Sequence, residues 1–489
     1  MTVDGRQWLG SKAKHGSTYA TLADAGAEKM AKTRTKKPGT RKKARRPTQQ
    51  PTLKRPFIRD IAPPLELVAI ACVLFAMFYP RIQNAEFHGD ESLWIATSYY
   101  FEAFVSARLD SPVWNESYET LTQPPVGRYV VGLGRSLGGY GIRDLNRPWN
   151  FNLSDEENVA RGHKPSPGLL WWSRFPMCLL AIICCLIAFY LVKDPFGRLA
   201  GYLTIGFFAL NPYFSDTMLR AMGEAPVLAA TMVAMLAGDR AVRRLQVASS
   251  RNQAVGRRFV PVMIWLVIMG LFIGIAAATK LNGASSLVAG VGLCLVIPFV
   301  QSSAMSSLQL LSVSTFAVVA LILAAAFTFV ALNPYLYPHP VRRTEQMVQQ
   351  RISEMDRQQA AMPSARIDGP AIRRLLVIAD RVFHEYAFFS FTKSWIVNGI
   401  LCVAGLLWSG FVGAGWLRGQ RSSGGNVVLL LIAFSASAPI LMTPLDWNRY
   451  YLFPVFFSTV FIAVGSVWII ENLARWTTRR VASVRTKQA

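Results

Sequence analysis

Cysteine is scarce and badly placed for chemistry: Cys72, Cys178, Cys184, Cys185, Cys294 and Cys402 are the whole complement in 489 residues. All six fall inside apolar runs, none forms a CxxC pair and no histidine partners them. That spacing excludes a zinc site and a disulfide framework and leaves them as small packing residues. Charge is scarce too, at 16% of residues, and acids are the smaller share, 28 against 52 basic residues. What charge there is lies between long apolar runs, a distribution foreign to soluble domains, where roughly a quarter of residues are charged throughout. The chain also lacks a P-loop and a Rossmann glycine fingerprint, so no nucleotide-binding loop is written in it. No apolar h-region precedes the first long run, which argues against a cleavable signal peptide. Nor is there an internal repeat or a matched pair of broken helices, the usual sign of a carrier.

The apolar runs themselves decide the class. Ten of them approach the ~20 residues that cross a bilayer as helix: Ile61 to Tyr79, Leu169 to Val192, Leu199 to Asn211, Ala225 to Gly238, Val260 to Thr279, Ala284 to Val300, Leu308 to Leu332, Trp395 to Trp416, Val427 to Met442 and Tyr451 to Ile470. The third and fourth are short. The expected fold is an all-α polytopic transmembrane bundle of about ten spans. An even number puts both termini on one side. Arg240, Arg243, Arg244, Arg251, Arg257 and Arg258, in the loop opened by Asp239, and Arg475, Arg479, Arg480, Arg485 and Lys487 after the last span make that side cytoplasmic by the positive-inside rule.

Residues 1 to 60 hold 16 Lys+Arg and 4 Asp+Glu, half of the chain's formal charge of +24. With almost no large apolar residues they read as a disordered basic tail attracted to anionic lipid headgroups. Nucleic acid is not an expected partner, because the tail lacks interleaved aromatics. The domain division is therefore 1–60 basic tail, 61–470 membrane domain and 471–489 basic cytoplasmic tail. Two long extracytoplasmic loops, roughly Pro80 to Gly168 and Asn333 to Ser394, hold most other polar residues. Each contains a candidate interfacial helix. Leu93 to Val105 is aromatic with few charges, and Ile372, Leu375, Leu376, Ala379, Val382, Phe383 and Tyr386 form a helical stripe that suits lipid contact or bundle packing equally.

The unusual polar residues gather on that same side: Asp90-Glu91 directly after the first span, Thr122 to Tyr129, Arg220 with Glu224, Thr279 to Gly283, Asn333 to Pro340, and Asp446 to Tyr451. Random end-caps would divide between the two faces, so one extracytoplasmic cavity is expected. Carboxylates so close to hydrocarbon are costly and are retained for pairing or function.

The order of these pieces carries a resemblance. A carboxylate pair after span one is followed by Pro124-Pro125-Val126-Gly127-Arg128, Ser173-Arg174-Phe175-Pro176, Asn211-Pro212-Tyr213 with Arg220 to Glu224, Thr279-Lys280-Leu281-Asn282-Gly283, and Asp446-Trp447-Asn448-Arg449-Tyr450-Tyr451. Over residues 61 to 470 the set resembles the GT-C superfamily of membrane glycosyltransferases. More narrowly it is similar to the dolichyl-phosphate-mannose-protein mannosyltransferase family and its bacterial polyprenyl-phosphate-sugar relatives. The chain departs from that pattern in having Gln123 and Arg128 where the family usually has His and Lys, and Glu224 where it usually has Asp. It has no room for the luminal β-trefoil of the eukaryotic enzymes, and no soluble domain follows the last span.

The resemblance implies a polyprenyl-phosphate sugar donor, a protein or glycolipid acceptor hydroxyl and an inverting single displacement on the extracytoplasmic side. The residues suit that chemistry. Desolvation at the membrane edge makes a carboxylate more basic, so Asp90 is the expected base, with Glu91 positioning the acceptor or sharing charge. The leaving lipid phosphate needs fixed cations: Arg128, Lys280 and Arg449, with Tyr450 beside them, are the candidates. Gln123, Arg220, Glu224 and His339 are expected in substrate or structural roles. Plainer roles stay open: Arg220–Glu224 as a salt bridge at i, i+4 on one helix, Lys280 and Arg449 as snorkelling end-caps, Arg174 as a bundle cation paired with a carboxylate, and His88 and His339 hydrogen-bonding locally. No cofactor is required and no metal ligands are assigned; related enzymes differ on a divalent metal. The rival readings are a secondary transporter or glycolipid flippase that uses the rim charges as a path, and a non-enzymatic membrane scaffold.

Overall fold

The computed structural model describes residues 58–250, 255–301, 306–388, 395–418 and 424–488. The basic tail ahead of Ile58 lies outside these residues. Every regular element described is helical, apart from one isolated bridge between Arg366 and Leu445. Helix is what long apolar segments need in a bilayer, because it satisfies each backbone N–H and C=O within the segment.

In chain order the first half comprises α1 (Ile58–Asn84), α2 (Gly89–Ala96), α3 (Tyr100–Val105), α4 (Tyr118–Thr122), α5 (Val126–Leu137), α6 (Asp155–Ala160), α7 (Pro167–Phe196), α8 (Arg198–Leu210) and α9 (Pro212–Leu219). The second half comprises α10 (Glu224–Ser250), α11 (Val255–Thr279), α12 (Ser286–Gln301), α13 (Ser307–Ala331), α14 (Pro340–Ala361), α15 (Ala371–Asp380), α16 (Trp395–Leu417), α17 (Gly425–Ser437) and α18 (Leu452–Gln488). Among the described residues seven helices are long and apolar enough to cross a membrane, and three further apolar segments, Arg198–Leu210, Leu281–Val296 and Gly425–Leu441, are shorter. These ten coincide with the ten expected runs, but only seven reach spanning length. The protein is an integral, multi-pass membrane protein.

Burial sorts the helices by depth. The apolar stretch of Glu224–Gln246 is 83% buried, against 22% for that of Ser307–Ala331, so α10 is central and α13 peripheral. Exposed Leu308, Leu311, Phe316, Leu323 and Phe327 give α13 its lipid face. The close approach of α16 and α18 depends on Gly405 and Gly465: a Cβ on either would run into the backbone of the facing helix.

Two expectations change at this level. The fourth apolar run, expected to be short, belongs to the 27-residue α10, so Arg240, Arg243 and Arg244 ride on a helix rather than in a loop. The segment Leu93 to Val105 is two helices, not one, broken where the Thr97 hydroxyl turns back to the Leu93 carbonyl at 2.6 Å. The basic C-terminal segment continues α18, which runs without interruption from Leu452 through Gln488. At the bundle end opposite Asp90, Lys193 and the Tyr202 hydroxyl both bind Glu66, and Arg243 bridges Asp194 and Asp239.

Candidate active site

The site begins where α1 ends. His88 caps α2: its Nδ1 accepts the Asp90 N–H at 3.1 Å, while its own N–H donates to Glu91 Oε2 at 3.1 Å. Burial, helped by the Arg220 and Arg449 charges and opposed by Glu91 and Glu224, holds the His88 imidazole below its ordinary range. A neutral ring is the form that can accept at Nδ1.

The two neighbouring carboxylates then part company. Asp90 stays partly open, with a side chain 21% exposed, and is ion-paired to Arg449 from 359 residues away. Glu91 is fully buried and fully engaged: Arg174 grips it with Nε at 2.7 Å and Nη2 at 2.6 Å, and the Ala221 N–H donates to it at 2.8 Å. Arg174 also donates to the carbonyls of Ile82 and Ala85, closing α7 onto the end of α1. Glu91 is therefore a structural post rather than an acceptor-positioning group. It has no lone pair left to offer, and removing one partner of such a buried pair costs about 3–5 kcal/mol.

Arg128, expected on the donor phosphate, is corrected in the same way. It is 1% exposed, donates to Thr97 Oγ1 at 2.8 Å and to the Gln123 carbonyl and side chain at 2.9 and 3.2 Å, and is sandwiched between Trp94 and Tyr100 at 5.4 and 5.3 Å. Its role, with Gln123, is to brace the α2–α5 corner and back the indole of Trp94. Burial pushes its guanidinium down from the usual range. His339 is exposed ahead of α14 and touches none of these residues by any described hydrogen bond or ion pair.

Lys280, just past α11, pairs with Glu224 at the start of α10. Arg220 and Glu224 do not share a helix: Arg220 ends α9, and a tight turn from Arg220 to Gly223 intervenes. Trp94, one turn after Asp90 on α2, joins the two halves. A Cβ at Gly223 would stand 3.0 Å from Trp94 Cη2 and 3.0 Å from Lys280 Cε. The Asp90–Arg449 pair, Lys280, Glu224 and Arg220 thus surround one place at one end of the bundle.

Arg449 is held by more than Asp90. Its guanidinium lies 4.6 Å over Trp447 and 5.6 Å over Tyr450, and Arg351 of α14 donates to the Tyr450 hydroxyl at 3.0 Å. Three residues earlier Asp446 is clamped by Arg381 (Nη2 at 2.6 Å, Nε at 3.1 Å) and by the Tyr451 hydroxyl at 2.6 Å, while its N–H donates to Ala365 at 2.7 Å. Burial would raise the Asp446 carboxyl, but Arg381 and Tyr451 outweigh it and hold it below the ordinary carboxylate range. Asp446 and Tyr451 stand inside the motif read from the sequence without having been singled out. Arg381 and Trp94 carried no signal there, since only the fold brings them to Asp446 and Lys280.

Beside Arg381 the residues Ala379 and Phe383 open an apolar groove of about 890 Å³ that continues along α16 past Ile400 and Leu407 to Trp468. Among the described residues no group of three or more His, Cys, Asp or Glu side chains is arranged to hold a metal ion.

Comparison with known proteins adds the following. No curated protein matches the chain in sequence. Among solved structures it is similar to the archaeal oligosaccharyltransferase AglB from Archaeoglobus fulgidus in complex with an inhibitory peptide and a dolichol-phosphate, at 13% identity and TM-score 0.46, covering 87% of this chain and 52% of that one. It is also similar to ArnT from Cupriavidus metallidurans bound to undecaprenyl phosphate, at 15% identity and TM-score 0.43, covering 82% and 59%. The chain thus spans between half and three fifths of the length of these two structures. A family model, that of dolichyl-phosphate-mannose-protein mannosyltransferases, matches residues 91–341, just over half of the sequence. The chain belongs to the dolichyl-phosphate-mannose-protein mannosyltransferase family.

Proposed function

We propose that this protein transfers a sugar, as a mannosyltransferase-like enzyme, from a polyprenyl-phosphate donor to an acceptor hydroxyl on the extracytoplasmic side of the membrane. The observation that carries the reading is the partly open Asp90–Arg449 pair in a chain of this family. A carboxylate engaged by a guanidinium is a poor base. A donor phosphate competes for Arg449, and its arrival frees Asp90 for the acceptor. Asp90 then takes the hydroxyl proton, the acceptor oxygen forms its bond to the anomeric carbon, and the bond from that carbon to the phosphate oxygen breaks. The polyprenyl phosphate leaves with the added negative charge, which Arg449 and Lys280 meet. One displacement with one base inverts the anomeric centre and needs no covalent sugar intermediate.

The apolar groove suits the lipid tail. Its lining on α16 runs from Trp395 to Phe411, roughly 24 Å of helix, comparable to the ~30 Å hydrocarbon layer. The acceptor in this reading is a hydroxyl on a protein, a protein being the acceptor that the family's description names. The test is incubation of purified protein, in liposomes, with radiolabelled polyprenyl-phosphate sugars and an acceptor peptide rich in Ser and Thr. Label should move from lipid to peptide; retention of label on every donor tried would favour a lipid transporter instead.

A further inference from the structure

Two polar atoms beside this site find no partner among the described residues. Glu224 is 2% exposed, its Oε1 accepts from Lys280, and its Oε2 is buried with nothing donating to it. Arg220 Nε, on the same turn, is also buried and donates to nothing. A buried polar atom without a partner costs about 1–3 kcal/mol, more if charged. Lys280 already balances the charge of Glu224, so what Oε2 lacks is a neutral hydrogen-bond donor. Arg220 Nε lacks an acceptor. A hydroxyl is both at once.

The surroundings hold these two atoms in place. The Arg220–Gly223 turn is fixed from below by the bond from the Ala221 N–H to Glu91. Glycines let α5 and a buried indole close onto it: a Cβ at Gly127 would stand 3.3 Å from the Gly223 Cα and 3.1 Å from Trp94 Cη2. Trp94, 3% exposed and backed by Arg128 at 5.4 Å, holds the turn and the stem of Lys280 in place. Lys280 itself is 25% exposed, so its ammonium can reach a ligand from its place on Glu224.

We infer that Glu224, with Arg220, is a specificity subsite for one hydroxyl of the donor's sugar ring, with Lys280 joining this carboxylate to the donor phosphate. The inference rests on the polyprenyl-phosphate-sugar reading and adds to it the group that reads the sugar. Asp90 serves the acceptor and Glu224 the donor, so the two carboxylates have separate tasks.

The test uses polyprenyl-phosphate sugars that each lack one ring hydroxyl, assayed with the full-length wild-type protein, Glu224→Gln and Glu224→Asp at matched melting temperature. The wild type should lose roughly 10- to 100-fold in kcat/KM at one position. At that position Glu224→Gln should discriminate by less than about threefold, because its rate on the complete sugar falls to meet that on the deoxy sugar. Glu224→Asp keeps the charge that pairs with Lys280 but withdraws it by one methylene, so its discrimination should also shrink; it carries the comparison if Glu224→Gln fails to fold. Equal penalties in wild type and variants at every position, or no penalty at any, overturn the subsite. Failure of the wild type to transfer from any complete donor refutes the donor reading instead, so the two failures are distinguishable.

Discussion

Asp90 and Glu91 are adjacent in sequence and opposite in circumstance, one partly open on Arg449 and the other sealed against Arg174. Function at the residue scale follows from that difference. Asp90→Asn should preserve fold and donor binding, since the amide keeps size and shape, yet lower kcat by about 10²–10⁴, the range of a lost general base. Arg449→Ala should raise KM for the donor and lower kcat together, because the cation meets the phosphate both before and during bond cleavage. Both are read on one donor with expression and melting temperature matched. Wild-type turnover by Asp90→Asn would move the base to another carboxylate.

His88 sets a pH limit on the same helix start. Its imidazole is held down chiefly by burial, so the stability it lends is complete above its unfolded value of 6.5 and is lost as pH falls through the lower folded value. Protonation puts a hydrogen on Nδ1, which then cannot accept the Asp90 N–H. The melting temperature should hold from pH 8 to about 6.5 and decline below that. His88→Asn, whose side-chain oxygen still caps a helix, should flatten that decline. An unchanged acid limb in the variant would assign it to another group.

At the scale of elements, α14 and α15 brace Arg449. Arg381, at the end of α15, grips Asp446, and Arg351 of α14 holds Tyr450, so two loop helices fix the turn that bears the cation. Asp446 is a positioning residue. Asp446→Ala and Arg381→Ala should each lower kcat about 10-fold while changing donor KM little, and the double variant should be no worse than either alone, the mark of one shared interaction. Additive losses, or equal losses on melting temperature with no kcat effect, would make the clamp purely structural. The groove gives an independent prediction. Gly399 lines it and has no other side chain closer than 4.0 Å to the place of a Cβ. Gly399→Phe should raise KM for a long-chain donor about 10-fold, equal to ~1.4 kcal/mol, and leave a short-chain donor unaffected. An equal rise for both chain lengths would place the lipid tail elsewhere.

Taking the whole molecule, every group assigned to the site and its groove lies between His88 and Trp468. Deleting residues 1–55 should therefore leave donor turnover of correctly inserted protein within about twofold of wild type, while insertion efficiency or attraction to anionic membranes falls by roughly 1 kcal/mol per basic residue near the surface. Loss of turnover in inserted, folded protein would mean that the basic segment takes part in the site.

The sequence alone determined the class of this protein. Ten apolar runs at helix length leave no alternative to a helical membrane bundle, because only internal hydrogen bonding satisfies a backbone in hydrocarbon. It also pointed to the candidate site, since polar residues that survive at helix ends announce themselves by their cost. Its boundaries were less legible: α10 runs on through its polar last turns because helix propagation does not stop where hydrophobicity does. What only the tertiary structure decided was which of two adjacent carboxylates is accessible, and which arginine stays partly open. Glu91 and Arg128 look as reactive as Asp90 and Arg449 in one dimension, yet their partners come from positions 174 and 221, and from 94, 97, 100 and 123. Burial and pairing are properties of the packed chain: a charge sealed with all its hydrogen bonds satisfied holds the fold, and the same charge left partly open can do chemistry.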